Sequence, residues 1–136
     1  MNLNDLISEY MKLGYKRIEA SSKVCQDIIL SKISKSNFKD NITIKGGVVM
    51  HNISKDIRRA TRDLDLDFIK YSLEDDAIIK FINKLNRVND GIKLTIIGNI
   101  EKLHHQDYDG KRVNISLKDN YNNIIDSKLD LGVNKF

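Results

Sequence analysis

Asp63, Asp65 and Asp67 alternate with Leu64, Leu66 and Phe68 in the stretch RDLDLDF. Residues two apart in a strand point the same way, so this spacing predicts three carboxylates on one face and three apolar side chains in the core. Asp is depleted from strands, and like charges held that close repel unless a cation or basic side chains offset them. A hard divalent cation does so well, because magnesium takes oxygen ligands and completes its shell with water and substrate phosphate. A strand presenting D-x-D is therefore one half of a plausible phosphate-handling metal site.

Gly46-Gly47 offers the other half. Glycines at the start of a helix let the backbone approach a phosphate, and the free N–H groups there favour an anion. Taken singly, a Gly-Gly turn is usually only a turn and an exposed D-x-D is often a solvated edge; the order strand, Gly-Gly, helix, D-x-D strand is more informative. A third carboxylate comes from SKLDLG, residues 127–132. There Leu129, Leu131 and Val133 are expected to face the core, with Asp126, Lys128 and Asp130 on the other side. If that strand lies beside the aspartate strand, Asp130 completes a triad with Asp63 and Asp65; such a triad can hold two metals in phosphoryl transfer. Otherwise it is one more surface Asp.

The elements that must position these groups are legible as periodicities. Leu3, Leu6, Ile7, Tyr10 and Met11 have helical spacing, as do Ile18, Ser21, Cys25, Ile28 and Ile29 beyond Gly14. Ile42–Ile44 reads as a strand ending at the glycines, and Val48, Val49, Met50 and Ile53 as a short buried helix. After the aspartate strand, Asp63 to Ile69, a capping box at Ser72-Leu73-Glu74-Asp75 opens a helix striped by Ala77, Ile78, Phe81, Ile82, Leu85 and Val88 and closed by Gly91. Strands follow at Ile92 to Ile97, with an extension to Leu103, at Arg112 to Lys118, and at Ile124 to Val133. The order α-α-β-α-β-α-β-β-β predicts an α/β (α+β) fold, a mixed sheet with helices against it.

With 136 residues, 40% hydrophobic and 31% charged, one globular domain is expected over 1–136. The lone Cys25 excludes an internal disulfide and, lying on an apolar stripe, reads as a buried structural thiol. No apolar run approaches a membrane span and no export signal opens the chain, which makes the cytoplasm the default location. The net charge of +4 permits a polyanionic partner without demanding one. Three of the six arginines, Arg58, Arg59 and Arg62, precede the aspartate strand and can ease its repulsion. Lys111, Arg112 and Lys118 read as solvated, with contact to RNA phosphate as the lesser alternative. His104, His105 and Asp107 lack a further His or Cys to complete a transition-metal site, so they read as a polar strand end, or at most an acceptor-contacting edge. A calcium loop is excluded for D-x-D-x-D, because strand-forming Leu64, Leu66 and Phe68 stand where turning residues are required.

The segments Lys45-Gly46-Gly47, Arg59-Ala60-Thr61-Arg62-Asp63-Leu64-Asp65-Leu66 and Lys128-Leu129-Asp130-Leu131 together resemble the AbiEii/AbiGii toxin family of nucleotidyltransferases. Its pattern is a Gly-Gly turn, an R-x-[ST]-x-D-[IL]-D strand and a later strand with one more carboxylate, here preceded by the Gly-led segment Gly110–Ile115. The resemblance covers about residues 40–133, behind N-terminal helices over 1–35. It implies a polymerase-beta-like nucleotidyltransferase core that uses magnesium to move a nucleoside monophosphate from a nucleoside triphosphate to an acceptor, with tRNA the acceptor of some related enzymes and a cognate antitoxin as partner. It implies Asp63, Asp65 and Asp130 as catalytic metal ligands, Gly46 and Gly47 as the triphosphate cradle, and Arg59 and Thr61 as site-ordering or phosphate-contacting residues. Asp67 lies outside the pattern. Val48 stands where the family often has Thr or Ser, and the chain stops at Phe136, without the family's C-terminal helical portion. The alternative is a catalytically incomplete module of the same fold that acts by binding a protein or RNA.

Overall fold

The computed structural model describes residues 1–38, 40–44, 64–69, 72–104 and 109–134. Along them run α1 (Leu3–Lys12), α2 (Arg17–Ser34), β1 (Ile42–Ile44), β2 (Leu64–Ile69), α3 (Asp75–Leu85), β3 (Lys93–Ile96), β4 (Glu101–His104), β5 (Asp109–Lys118) and β6 (Ile124–Asn134). The strands form one sheet in the order β1-β2-β6-β5-β3, with β4 also paired to β5. β2 and β6 are parallel and the other pairs antiparallel, so the expected α/β (α+β) class with a mixed sheet is the one adopted. The short helix expected over Val48–Ile53 lies outside the described residues.

Alternation builds the sheet's core face. Leu64, Leu66 and Phe68 of β2, Val113, Ile115 and Leu117 of β5, and Leu129 and Leu131 of β6 are all buried. They share one apolar cluster with Ile78, Phe81, Ile82 and Leu85 of α3 and with the inward side of α2. Phe81 takes the rings of Phe38 and Phe68 edge-on at 5.1 and 5.2 Å. Each such fully buried side chain contributes about 1.5–3 kcal/mol, which is why the alternation is enforced along all three long strands.

The helices depart from their expected stripes in instructive ways. α1 begins at Asn2, whose side chain accepts from the Asp5 N–H at 3.1 Å, an N-cap that satisfies an orphan donor. It buries Leu3 and Ile7, but Met11 is exposed. Gly14 at φ +107° then turns the chain into α2. In α2, Ile18 is 60% exposed while Val24, Leu30 and Ile33 are buried along with Cys25, Ile28 and Ile29. This helix packs against α1, α3 and β6 at once, so its buried surface is wider than one stripe. The Tyr10 hydroxyl donates to Asp27 and ties α1 to α2. Lys32, fully buried, donates to Asp90 Oδ1 and to the Ile92 carbonyl, both at 2.8 Å.

Two local expectations are corrected. The capping box does not form: α3 starts after Glu74 with no side-chain cap, and Ser72 Oγ instead accepts the Glu74 N–H at 3.0 Å in a turn ahead of the helix. The strand expected over Ile92 to Ile97 forms as Lys93–Ile96, but its extension to Leu103 is interrupted. β3 ends opposite Ile115 and β4 resumes opposite Arg112, so residues 97–100 bulge against Val113 and Asn114. Gly98, at φ +66°, supplies the left-handed residue this bulge requires.

Candidate active site

The position of Asp65 is set by its neighbours: with Leu64 and Leu66 buried, alternation turns Asp65 to the opposite face, where it is exposed. The same parity in β6 buries Leu129 and Leu131 and leaves Asp130 half-buried on that polar face. β2 and β6 are adjacent and parallel, with Asp65 in register with Asp130. Neighbouring strands lie about 4.8 Å apart, so two carboxylates from segments distant in sequence are brought side by side.

The row continues across the sheet. Asp130 is in register with Arg112 of β5, and Arg112 with Glu101 of β4. Arg112 donates from Nε to Asp130 Oδ1 at 2.7 Å and from Nη2 to Oδ2 at 3.0 Å. This two-pronged pairing fixes the plane of the carboxylate and offsets the repulsion that two opposed acids create. A carboxylate has about four acceptor sites, so each Asp130 oxygen retains one for another donor or a cation. Asp67, on the same face of β2, stands opposite Gly132, which offers it no side chain on β6.

Of the residues expected from the sequence, the structure thus joins Asp65 and Asp130. Asp63, Gly46, Gly47, Arg59 and Thr61 lie outside the described residues, as do His105 and Asp107. Among the described residues no three His, Cys, Asp or Glu side chains are grouped to hold a metal. The donor set at Asp65 and Asp130 is nonetheless all oxygen, and one or two carboxylates are what magnesium usually takes from protein.

The expectation that Lys111 and Arg112 are solvated is corrected: Lys111 Nζ reaches Asp75 Oδ1 at 2.6 Å and Arg112 holds Asp130. Lys118 is exposed as expected. A signal for Arg112 was present in the β5–β6 hairpin. Once Lys118 pairs with Ile124 across the turn, antiparallel register places Arg112 opposite Asp130. Cys25 is buried, and that burial pushes its thiol up to about 12. No described helix is long and apolar enough to cross a membrane.

No curated relative matches the chain. A family model described as the nucleotidyl transferase AbiEii toxin of type IV toxin–antitoxin systems matches residues 28–135, from the middle of α2 through β6 and across both Asp65 and Asp130. With four strand-borne groups aligned across the sheet and most of the sequence inside that match, the chain belongs to the AbiEii family of nucleotidyltransferase toxins.

Proposed function

We propose that this chain is a magnesium-dependent nucleotidyltransferase that transfers a nucleoside monophosphate from a nucleoside triphosphate to tRNA, and that this modification is the basis of its toxicity. The observation that carries the reading is the register of Asp65 with Asp130 on the solvent face of the sheet. Asp65, with Asp63, is assigned to hold the metal, and Asp130 to lie nearest the attacking hydroxyl of the acceptor. Gly46 and Gly47 are assigned to the triphosphate, and Arg59 and Thr61 to ordering its approach. Magnesium, when bound, neutralises charge on the phosphate oxygens and lowers the barrier to phosphoryl transfer.

The chain's own contribution is positional. Asp65 and Asp130 sit on strands whose other faces are locked into the core, so neither carboxylate can drift without disturbing Leu64, Leu66, Leu129 and Leu131. The Arg112 fork holds the Asp130 carboxylate in one plane. We assign the protein to the cytoplasm, with its RNA acceptor and its antitoxin.

The test is transfer of label from each of the four α-labelled nucleoside triphosphates to total tRNA with magnesium, comparing wild type with Asp65→Ala and Asp130→Ala. Label on RNA from wild type alone supports the reading and identifies the nucleotide. Label on protein moves the acceptor from RNA to protein. No label from folded wild type favours a module that acts by binding.

A further inference from the structure

At the far end of the sheet from Asp65 and Asp130 is a hollow of about 570 Å³ whose lining includes Arg87, Lys93 and Lys118. Lys93 of β3 and Lys118 of β5 are direct cross-strand partners. Like charges placed opposite one another in a sheet are destabilising, and among the described residues none of these three cations has an ion-pair partner. All three are exposed. A lysine on an edge strand guards against unwanted pairing, which accounts for Lys93 but for neither Lys118 nor Arg87.

The carboxylate that lines this hollow, Asp119, does not answer them. It is buried, and its two oxygens accept from the Leu3, Tyr121 and Asn123 N–H groups and from Asn123 Nδ2 at 2.8–2.9 Å. Its charge is directed at the N-terminus of α1, where the helix dipole offsets it. The rest of the rim adds neutral donors and acceptors, the exposed amides of Asn89, Asn120 and Asn122. Arg87 also borders a second hollow, of about 340 Å³, that includes Lys35 and Lys84, so the basic lining continues around this end of the molecule.

The hollow is linked to the carboxylates by the sheet itself. Arg112, Asn114, Ser116 and Lys118 share one face of β5, and Lys118 stands opposite Ile124, six positions before Asp130 on β6. At about 3.3 Å per residue that is about 20 Å. Lys93 and Lys118 stand at one end of this polar face and the Asp65–Asp130 pair at the other, with Asp126 and Lys128 of β6 between them.

We propose that the Arg87, Lys93 and Lys118 hollow is an anchor for the phosphate backbone of the acceptor RNA, holding it about 20 Å from the reacting end. The assignment rests on the reading of RNA as acceptor, and its test is independent of transfer. Binding of fluorescently labelled total tRNA is followed by anisotropy in EDTA over a series of salt concentrations. Lys93→Ala/Lys118→Ala is expected to weaken binding about tenfold and to flatten the dependence of log K on log salt by about 1.5, the effect of two lost phosphate contacts. Lys118→Glu is the control for folding, since it pairs with Lys93 across the strands and leaves the fold at least as stable while still lowering RNA affinity.

Unchanged affinity and salt slope in both variants overturns the anchor, whether or not wild type transfers label. Loss of binding to the purified antitoxin with RNA affinity intact also overturns it, in favour of an acidic protein face. Reduced RNA affinity in the variants of a wild type that transfers no label upholds the anchor while removing the transferase reading.

Discussion

The Arg112 guanidinium grips Asp130 through both carboxylate oxygens, at 2.7 and 3.0 Å, and Asp130 stands in register with Asp65 on its other side. One arginine therefore offsets the charge of Asp130 where it faces Asp65 across the strands. Arg112→Ala is expected to cost about 1–2 kcal/mol, since the pair is only partly buried. It should lower transfer at least tenfold, with Arg112→Lys recovering charge but not the two-pronged geometry. Urea unfolding and labelled-nucleotide transfer on the same preparations check both effects.

Asp65→Asn should act on chemistry and not on the fold. The residue is exposed, so stability should stay within about 0.5 kcal/mol of wild type. Transfer should be lost. A thermal melt with a transfer assay separates the two, and retained transfer would remove Asp65 from the site.

Asp119 sets an acid limit on the fold. Burial pushes its carboxyl up, but bonds from the Leu3 N–H, the Asn123 side chain and the Asn123 and Tyr121 N–H groups outweigh it and hold the group at about 2 instead of 3.8. A depressed folded-state value contributes stability that is complete above pH 3.8 and lost as pH falls toward 2. Asp119→Asn should cost about 2 kcal/mol near neutrality, because an amide cannot satisfy the same donors. It should also show a shallower loss between pH 4 and 2, read from denaturant midpoints across that range.

Lys32 and Asp90 should reveal the cost of a broken buried pair. Lys32 is fully buried and the Asp90 side chain is 8% exposed. Lys32→Met, which strands the carboxylate, is expected to destabilise by about 3–5 kcal/mol. Lys32→Met/Asp90→Asn should recover part of that, a coupling that a double-mutant cycle measures directly.

Cys25 should be chemically silent in the native protein. Its thiol is buried and pushed up to about 12, so little thiolate exists near pH 8. Iodoacetamide labelling should therefore proceed only through unfolding, and its rate in native buffer should match the opening rate from hydrogen exchange.

What the sequence by itself determined is the chemistry-bearing strands. The period of two in residues 64–68 and again in 129–131 declares which side chains enter a core and which face water, because a strand with one buried face tolerates only one parity; Val133, expected inside by the same period, is instead exposed near the end of β6. The parity of Asp65 and Asp130 was therefore readable from Leu64, Leu66, Leu129 and Leu131 alone. Their adjacency was not, since it depends on β6 entering the sheet parallel to β2 after the β5–β6 hairpin, a pairing between segments far apart in the sequence that no local pattern encodes. Arg112 became a partner of Asp130 by that same hairpin's register, and Lys93 met Lys118 only because β3 pairs with β5. Helix α2 makes the complementary point: its stripe was misjudged at Ile18 because three elements pack around it, and burial on several sides erases the periodicity that one-sided burial writes into a sequence.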